Sequence, residues 1–219
     1  VVRCAMALGY SGFPELQRAL QEYLKTRLTT LDRLYGAKSG LEAGESILER
    51  VMRSDMEAIN ITLQELSREE FAKAVKAITQ ARKILVIGLR SMSALSFFLG
   101  YTLNWILRNV SIISHGSGDM VEQVMCLEPG DVAVGITFPR YTRRTVELVE
   151  LARKRGATTI GITDNVMSPL APYCDILLTA KSGLLSSFVD SCVAPLSLIN
   201  ALITAVGAED EARTAKALS

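Results

Sequence analysis

From Lys83 onward the chain alternates short β-branched runs with stretches of helical periodicity, and no other feature of its 219 residues constrains the fold as much. Strands joined through helical crossovers lie parallel, and a parallel sheet needs helices on both faces. Five runs qualify as strands: Lys83 to Gly88 (KILVIG), Val110 to Ser114 (VSIIS), Asp131 to Thr137 (DVAVGIT), Ala157 to Thr163 (ATTIGIT) and Asp175 to Ala180 (DILLTA). Each is nearly continuously apolar, as a strand covered on both sides should be. Helical patterns run from Ser93 to Leu107, Gly118 to Leu127, Thr142 to Arg155 and about Ser186 to Val206, with a short turn at Ser168 to Tyr173. Gly130, Gly156 and Gly207 fall where helices are expected to end or turn into strands. The fold class is therefore α/β, a five-stranded parallel doubly wound sheet.

An all-helical segment precedes it, since residues 1–80 show helical periodicity and no convincing strand. Val1 to Leu8 reads as a helix ended by Gly9, and Pro14 suits the first position of the next, whose Leu16, Leu20, Leu24 and Leu28 recur every four residues. Tyr35 to Gly44, with three glycines, reads as a hinge or domain linker. Glu45 to Leu66 then spaces Leu48, Met52, Met56, Ile59, Leu63 and Leu66 by threes and fours. Such an apolar stripe either covers its own domain or meets a second chain. Ser67 followed by Glu70 has the form of a capping box, so another helix is expected to start there and lead into the first strand. The expected division is 1–34 for a first helical module, 35–66 for a linker and long helix, and 67–219 for the α/β domain.

Composition excludes several classes. With 49% hydrophobic and 21% charged residues and six prolines, the chain is ordered and globular rather than disordered. Its 24 basic and 23 acidic residues leave a net charge of +1, so nucleic-acid binding would have to be local. Cys4, Cys126, Cys174 and Cys192 form no C-x-x-C pair and read as reduced, buried thiols of a cytoplasmic protein. His115 is the only histidine, which leaves no His/Cys cluster, and no metal or cofactor is expected. The apolar stretch Ala94 to Leu107 is too short to span a bilayer, and Ser187 to Val206 carries Asp190, Pro195 and Asn200 in its interior. Both read as helices buried in a core or a subunit interface, and no membrane partner is expected. The first residues lack the pattern of a signal peptide, and the chain reads as beginning inside a longer parent.

In a doubly wound sheet of flavodoxin-like order the first and third strands are neighbours, and the crevice at their carboxyl ends is where ligands bind. The sequence places polar residues at those two exits: Gly88-Leu89-Arg90-Ser91-Met92-Ser93, and Thr137-Phe138-Pro139-Arg140-Tyr141-Thr142-Arg143-Arg144-Thr145. Each loop opens a helix, so free backbone N–H groups would meet hydroxyls and guanidinium groups in a small volume. Serine and threonine at such turns also serve simply as helix caps. Convergence of both loops, with Arg90 and Arg140, points instead to an anion site. Neither G-x-G-x-x-G nor G-x-x-x-x-G-K-[ST] is present, which favours a small phosphorylated metabolite over a nucleotide.

The segment from about Phe71 to Val206 resembles a SIS (sugar isomerase) domain, and the whole chain resembles the RpiR family of bacterial transcriptional regulators, in which a helix-turn-helix module precedes a SIS domain. The resemblance is carried by VVRCAMALGYSGFPELQRAL, VIGLRSMSAL, GITFPRYTRRTVELVELARKRGATTIGITD and SPLAPYCDILL. It implies that Ser91 and Ser93, with Thr137, Thr142 and Thr145, hold the phosphate of a sugar phosphate effector. The third-strand loop departs from the family's S-x-S-G-x-T, with Pro139 at the second serine and Arg140 at the glycine. One hydroxyl and one backbone N–H are lost, and Arg140 is the residue that would replace them as donor. At the front of the chain the resemblance implies a recognition helix, with Arg3 and Ser11 as DNA contacts, and basic side chains outnumber acidic ones over residues 1–34.

An aldose–ketose isomerase needs a placed carboxylate or histidine. His115 and Glu122 are the candidates, but a glutamate in such a helix is more often a solvated surface residue and a histidine in a turn more often a cap or interface group. The chain therefore reads as a non-enzymatic regulator, a homodimer or homotetramer that senses a sugar phosphate and modulates the operator DNA binding of its N-terminal module. The alternatives are a sugar-phosphate isomerase and a dimerisation module whose pocket has decayed.

Overall fold

The computed structural model describes Met6, Gly9, Gly12 and residues 46–113, 118–182 and 189–218. The expectations for Val1 to Leu8, the helix after Pro14, the glycine-containing linker, Ser114, His115 and the start of a helix at Ser186 lie outside the described residues.

All five expected strands form within their apolar runs: β1 (Ile84–Ile87), β2 (Val110–Ile113), β3 (Val132–Ile136), β4 (Thr158–Thr163) and β5 (Ile176–Thr179). Every pairing is parallel and the order is β2-β1-β3-β4-β5, the order expected. β1 and β3 are neighbours, with Ile84 opposite Val132 and Ile87 opposite Gly135. The helices are α1 (Ile47–Glu65), α2 (Arg68–Gln80), α3 (Ser93–Leu107), α4 (Met120–Met125), α5 (Arg143–Lys154), α6 (Val193–Glu209) and α7 (Glu211–Leu218).

Successive strand residues alternate between two cores, as a period of two requires. Ile84 and Val86 join Val75 and Ile78 of α2, Leu99 and Leu103 of α3, and Leu198 and Leu202 of α6. Leu85 and Ile87 join Val124 of α4 with Leu148, Val149 and Ala152 of α5. Burying each such aliphatic side chain contributes about 1.5–3 kcal/mol. Helix α6 is apolar nearly all round because it is covered on several sides, packing on α1, α2 and α3.

Several local expectations are corrected. Helix α6 begins at Val193, so Asp190 and Ser191 stand outside it, with Cys192 as its cap and Pro195 in the first turn, where proline is tolerated. It also runs through Gly207 to Glu209 rather than ending at Gly207. A Cβ there would meet Ile106 and Thr214 at 3.6 Å, an ordinary contact, so the helix continues through a position that does not require glycine. Helix α7, not expected, folds back at 107° to α6, and its Arg213 guanidinium donates to the carbonyls of Ile106 (3.1 Å) and Leu107, closing the end of α3. Among the described residues no single helix is long and apolar enough to cross a membrane.

The box at Ser67 is only half formed. Ser67 Oγ accepts from the N–H of Glu70 at 3.2 Å, but the Glu70 carboxylate accepts from Lys73 Nζ (2.9 Å) and from the Leu177 N–H (3.3 Å), tying α2 to β5. The reciprocal box lies one helix earlier, at Ser46 and Glu49. The long apolar stripe of α1 faces away from the domain, with Leu48 70% and Leu63 73% exposed, while Ser54, Ala58 and Thr62 form the buried face. Small residues let α1 approach α6 closely, and Thr62 Oγ1 accepts from the Lys181 N–H at 2.9 Å.

The expectation of buried thiols fails at Cys126, which is exposed; Cys174 and Cys192 are half-buried, and all three are free. Burial pushes the Cys174 thiol up to about 12 and raises that of Cys192, which keeps both protonated and unreactive at neutral pH.

Candidate functional site

The first loop is shaped by a close approach. A Cβ on Gly88 would stand 2.8 Å from Ser96 Cβ and 2.9 Å from the Met92 carbonyl oxygen, so only glycine lets the chain turn from β1 into α3. Ser96 seals the turn by donating to the Gly88 carbonyl at 3.0 Å. Arg90 then adopts a left-handed backbone, φ +59°, and opens a 3₁₀ turn, Arg90–Met92, that runs into α3.

The second loop follows the same plan with different residues. Thr137 is buried at the end of β3, and its hydroxyl accepts from the Thr142 N–H at 3.1 Å, which closes the loop on itself. Phe138 and Pro139 are buried, and Arg140 is left-handed at φ +66°. Tyr141 donates from its hydroxyl to both oxygens of Asp164, at 2.9 and 3.1 Å, anchoring the loop to the end of β4. Thr142 stands at the cap position of α5.

Between the loops lies a cavity of about 260 Å³. Arg90, Ser91 and Met92 line it from the first loop; Thr137, Phe138, Pro139, Arg140 and Thr142 line it from the second. Asp190, from the segment before α6, completes the lining. Five expected residues therefore meet there: Arg90, Ser91, Thr137, Arg140 and Thr142.

Two expected residues do not. The Ser93 hydroxyl turns back and donates to the Arg90 carbonyl at 2.6 Å, bracing the 3₁₀ turn rather than lining the cavity. Thr145 is fully buried in the first turn of α5, away from the cavity lining, and its hydroxyl has no partner among the described residues. Arg3 and Ser11 lie outside the described residues. Glu122 is exposed on α4 and does not line the cavity.

The electrostatics suit an anion. Neither α3 nor α5 carries an acidic residue in its first turn, and neither has a side-chain cap hydrogen bond. A helix start favours negative charge, yet α5 opens with Arg143 and Arg144, both paired with Glu147 (2.8 and 3.5 Å). The counter-charge within the cavity is Asp190, whose Oδ2 accepts from the Arg140 guanidinium at 2.9 Å. Sequence reasoning missed Asp190 and the Tyr141–Asp164 tether. The available signal for Asp190 was its place as an acid inside a long apolar run. Among the described residues no cluster of three His, Cys, Asp or Glu side chains is arranged to hold a metal.

An open parallel sheet with a cavity where β1 and β3 diverge places the chain among α/β domains of the doubly wound class. The chain belongs to the SIS domain family, which matches residues 77–205, and within it to the RpiR family. It is 30% identical to the sugar isomerase domain of an RpiR transcription factor from Sphaerobacter thermophilus, at a TM-score of 0.72, over 77% of this chain and 93% of that one. It is also similar to an HTH-type transcriptional regulator of Caldanaerobacter subterraneus, 27% identical over 183 residues, and to one of Haemophilus influenzae, 25% identical over 182. These alignments cover 83% and 81% of this chain but 63% and 62% of the relatives, so the chain spans less than two thirds of their length. The NanR protein of Vibrio vulnificus, 21% identical, shares the fold at a TM-score of 0.68 over 100% of this chain and 78% of that one.

Proposed function

We propose that this chain is the sensing part of a cytoplasmic transcriptional regulator, that its cavity binds a phosphorylated sugar, and that binding modulates operator recognition by a helix-turn-helix to which residues 1–34 contribute. Residues 35–66 then serve as linker and long helix, and residues 67–219 as the SIS domain. The observation that carries the reading is the cavity between the β1 and β3 exits, where Arg90 and Arg140 meet two helix starts that lack acidic residues. Ser91 and Thr142 supply hydroxyls at its edge, and Pro139 is offset by the guanidinium beside it. Curated relatives named HTH-type transcriptional regulators support the regulatory role, and the NanR neighbour was solved with ManNAc-6P.

Binding without conversion is favoured over isomerase activity by the carboxylate content of the cavity. Asp190 is the only acid among the described lining residues, and it is engaged by Arg140. The proposed Arg3 and Ser11 contacts would position the reader on DNA, with a homodimer or homotetramer matching the symmetry of a palindromic site.

Calorimetric titration of a panel of hexose 6-phosphates and ManNAc-6P against their unphosphorylated parents tests the reading. Binding of phosphorylated members only, lost in Arg140→Gln and Ser91→Ala, is the expected result, accompanied by a gel-shift change in operator affinity. Equal binding of sugars with and without phosphate, or turnover of a ketose phosphate, would overturn it.

A further inference from the structure

An acid at the mouth of a cavity suited to anions needs a physical reason. Asp190 is the more enclosed partner of its ion pair, its side chain 13% exposed against 52% for Arg140. Its carboxylate stands 2.9 Å from the guanidinium of the very residue best placed to receive a phosphate. Arg140 meanwhile holds a left-handed backbone, which a residue with a side chain adopts only at a cost, and it lines the cavity.

We infer that Asp190 is an internal stand-in for the effector's anion: it occupies Arg140 while the cavity is empty, and an incoming phosphate must take Arg140 from it. This rests on the reading of the cavity as a phosphate site. A dianionic phosphate competes well for a guanidinium because it offers charge-assisted, bidentate acceptance, whereas the carboxylate here meets the guanidinium through one contact at 2.9 Å. Displacement has a defined consequence, because Asp190 sits at the entrance of α6. The first turn of α6 starts three residues on, where the Val193 N–H donates to Ser191 Oγ at 3.2 Å and the Leu196 N–H to the Cys192 carbonyl at 2.8 Å, so losing the Arg140 contact removes one tether on the segment that enters that helix. Helix α6 packs directly on α1 and α2. Occupancy of the cavity is thereby linked to the helix that leads back toward the N-terminal segment, through contacts that differ between the two states.

The test uses the full chain with inorganic phosphate as the probe, followed by calorimetry and by amide hydrogen exchange over residues 190–196. Asp190→Asn removes the competing charge at nearly constant shape, with Asp190→Ser as a second variant should the first fold poorly. Both are expected to bind phosphate about fivefold more tightly than the unaltered chain, the equivalent of an exposed ion pair of about 1 kcal/mol. In the unaltered chain phosphate should accelerate exchange at 190–196; in the variants exchange should already be fast and indifferent to phosphate. If the unaltered chain binds phosphate, Arg140→Gln abolishes it, and the Asp190 variants bind equally or more weakly, the stand-in role is overturned while the phosphate site stands. If no form binds phosphate or sugar phosphates, both readings fall together.

Discussion

Each end of the sheet carries an arginine–aspartate pair that bridges about the same length of chain, 49 residues at the amino end and 50 at the carboxyl end, yet the two are built differently. At the amino end Arg82 donates from Nε and a terminal nitrogen to the two oxygens of Asp131, at 3.0 and 2.8 Å. Asp131 is wholly buried and accepts a further bond from the Glu128 N–H at 2.9 Å. At the carboxyl end Arg140 and Asp190 share one contact, Asp190 is partly exposed, the arginine is left-handed, and both line a cavity. A bidentate pair with its carboxylate fully satisfied is a staple. A single contact held by an arginine of strained backbone is one that a better anion can break. The same two residue types thus do structural work at one end of the sheet and reversible work at the other.

The largest expected effect breaks the staple. Asp131→Ala removes a buried acceptor from Arg82 and from the Glu128 amide, and urea unfolding should show a loss of about 3 kcal/mol. Asp190→Asn should change the same measurement by less than about 1 kcal/mol, since Asp190 is partly exposed and meets Arg140 through one contact. Equal losses at the two ends would erase the distinction.

Next comes Gly88→Ala, which forces a methyl group against Ser96 and the Met92 carbonyl. Overpacking of this kind costs about 1–3 kcal/mol, and displacement of Arg90 and Ser91 should weaken phosphate binding as well. A variant that unfolds earlier but binds normally would show that the first loop plays no part in the site.

A smaller effect of opposite sign is expected for Arg140→Gly. Glycine accepts φ +66° without penalty, so thermal unfolding should show unchanged stability or a gain of up to about 1 kcal/mol while phosphate affinity drops. A clear loss of stability would mean that the pair with Asp190 is itself a staple.

The smallest effect concerns Glu70, which binds the amino end of β5. Lys73 beside it, aided by the Leu177 N–H, holds its carboxyl below the ordinary carboxylate range. A group with a lowered folded value stabilises above its unfolded value and loses that contribution as pH falls through the folded one. Glu70→Gln should therefore be less stable than the unaltered chain at pH 7, and the gap in urea midpoint should close in acid. A gap that persists at low pH would assign the effect to packing rather than charge.

The strands were legible because a covered strand needs a nearly continuous apolar run, complete at β1 and β3 and partial at the edge strands β2 and β5. The start of α6 was not, because its apolar character extends upstream of Val193 and gives periodicity no edge to find. At the site, Arg90, Ser91, Thr137, Arg140 and Thr142 followed from the rule that ligands bind where β1 and β3 diverge. Ser93 and Thr145 were assigned by the same residue types but point elsewhere, since a shift of two or three positions on a helix start rotates a side chain away from the cavity. On α1, spacing showed that an apolar stripe exists but not which way it faces. Ser54 and Ala58 won the inner face because small side chains let two helices come close.

What the sequence by itself determined is whatever depends on near neighbours: the strand runs, the parallel connections, and the two polar loops at the exits of β1 and β3. What only the tertiary structure decided is which distant groups share a space. Asp190 reaches Arg140 across 50 residues, and Asp131 reaches Arg82 across 49, because parallel strands deliver chemically similar pairs to opposite ends of one sheet. Burial then separates their roles, since a charge cut off from water has to keep its partner, whereas one beside an open cavity has water and a ligand to exchange it for.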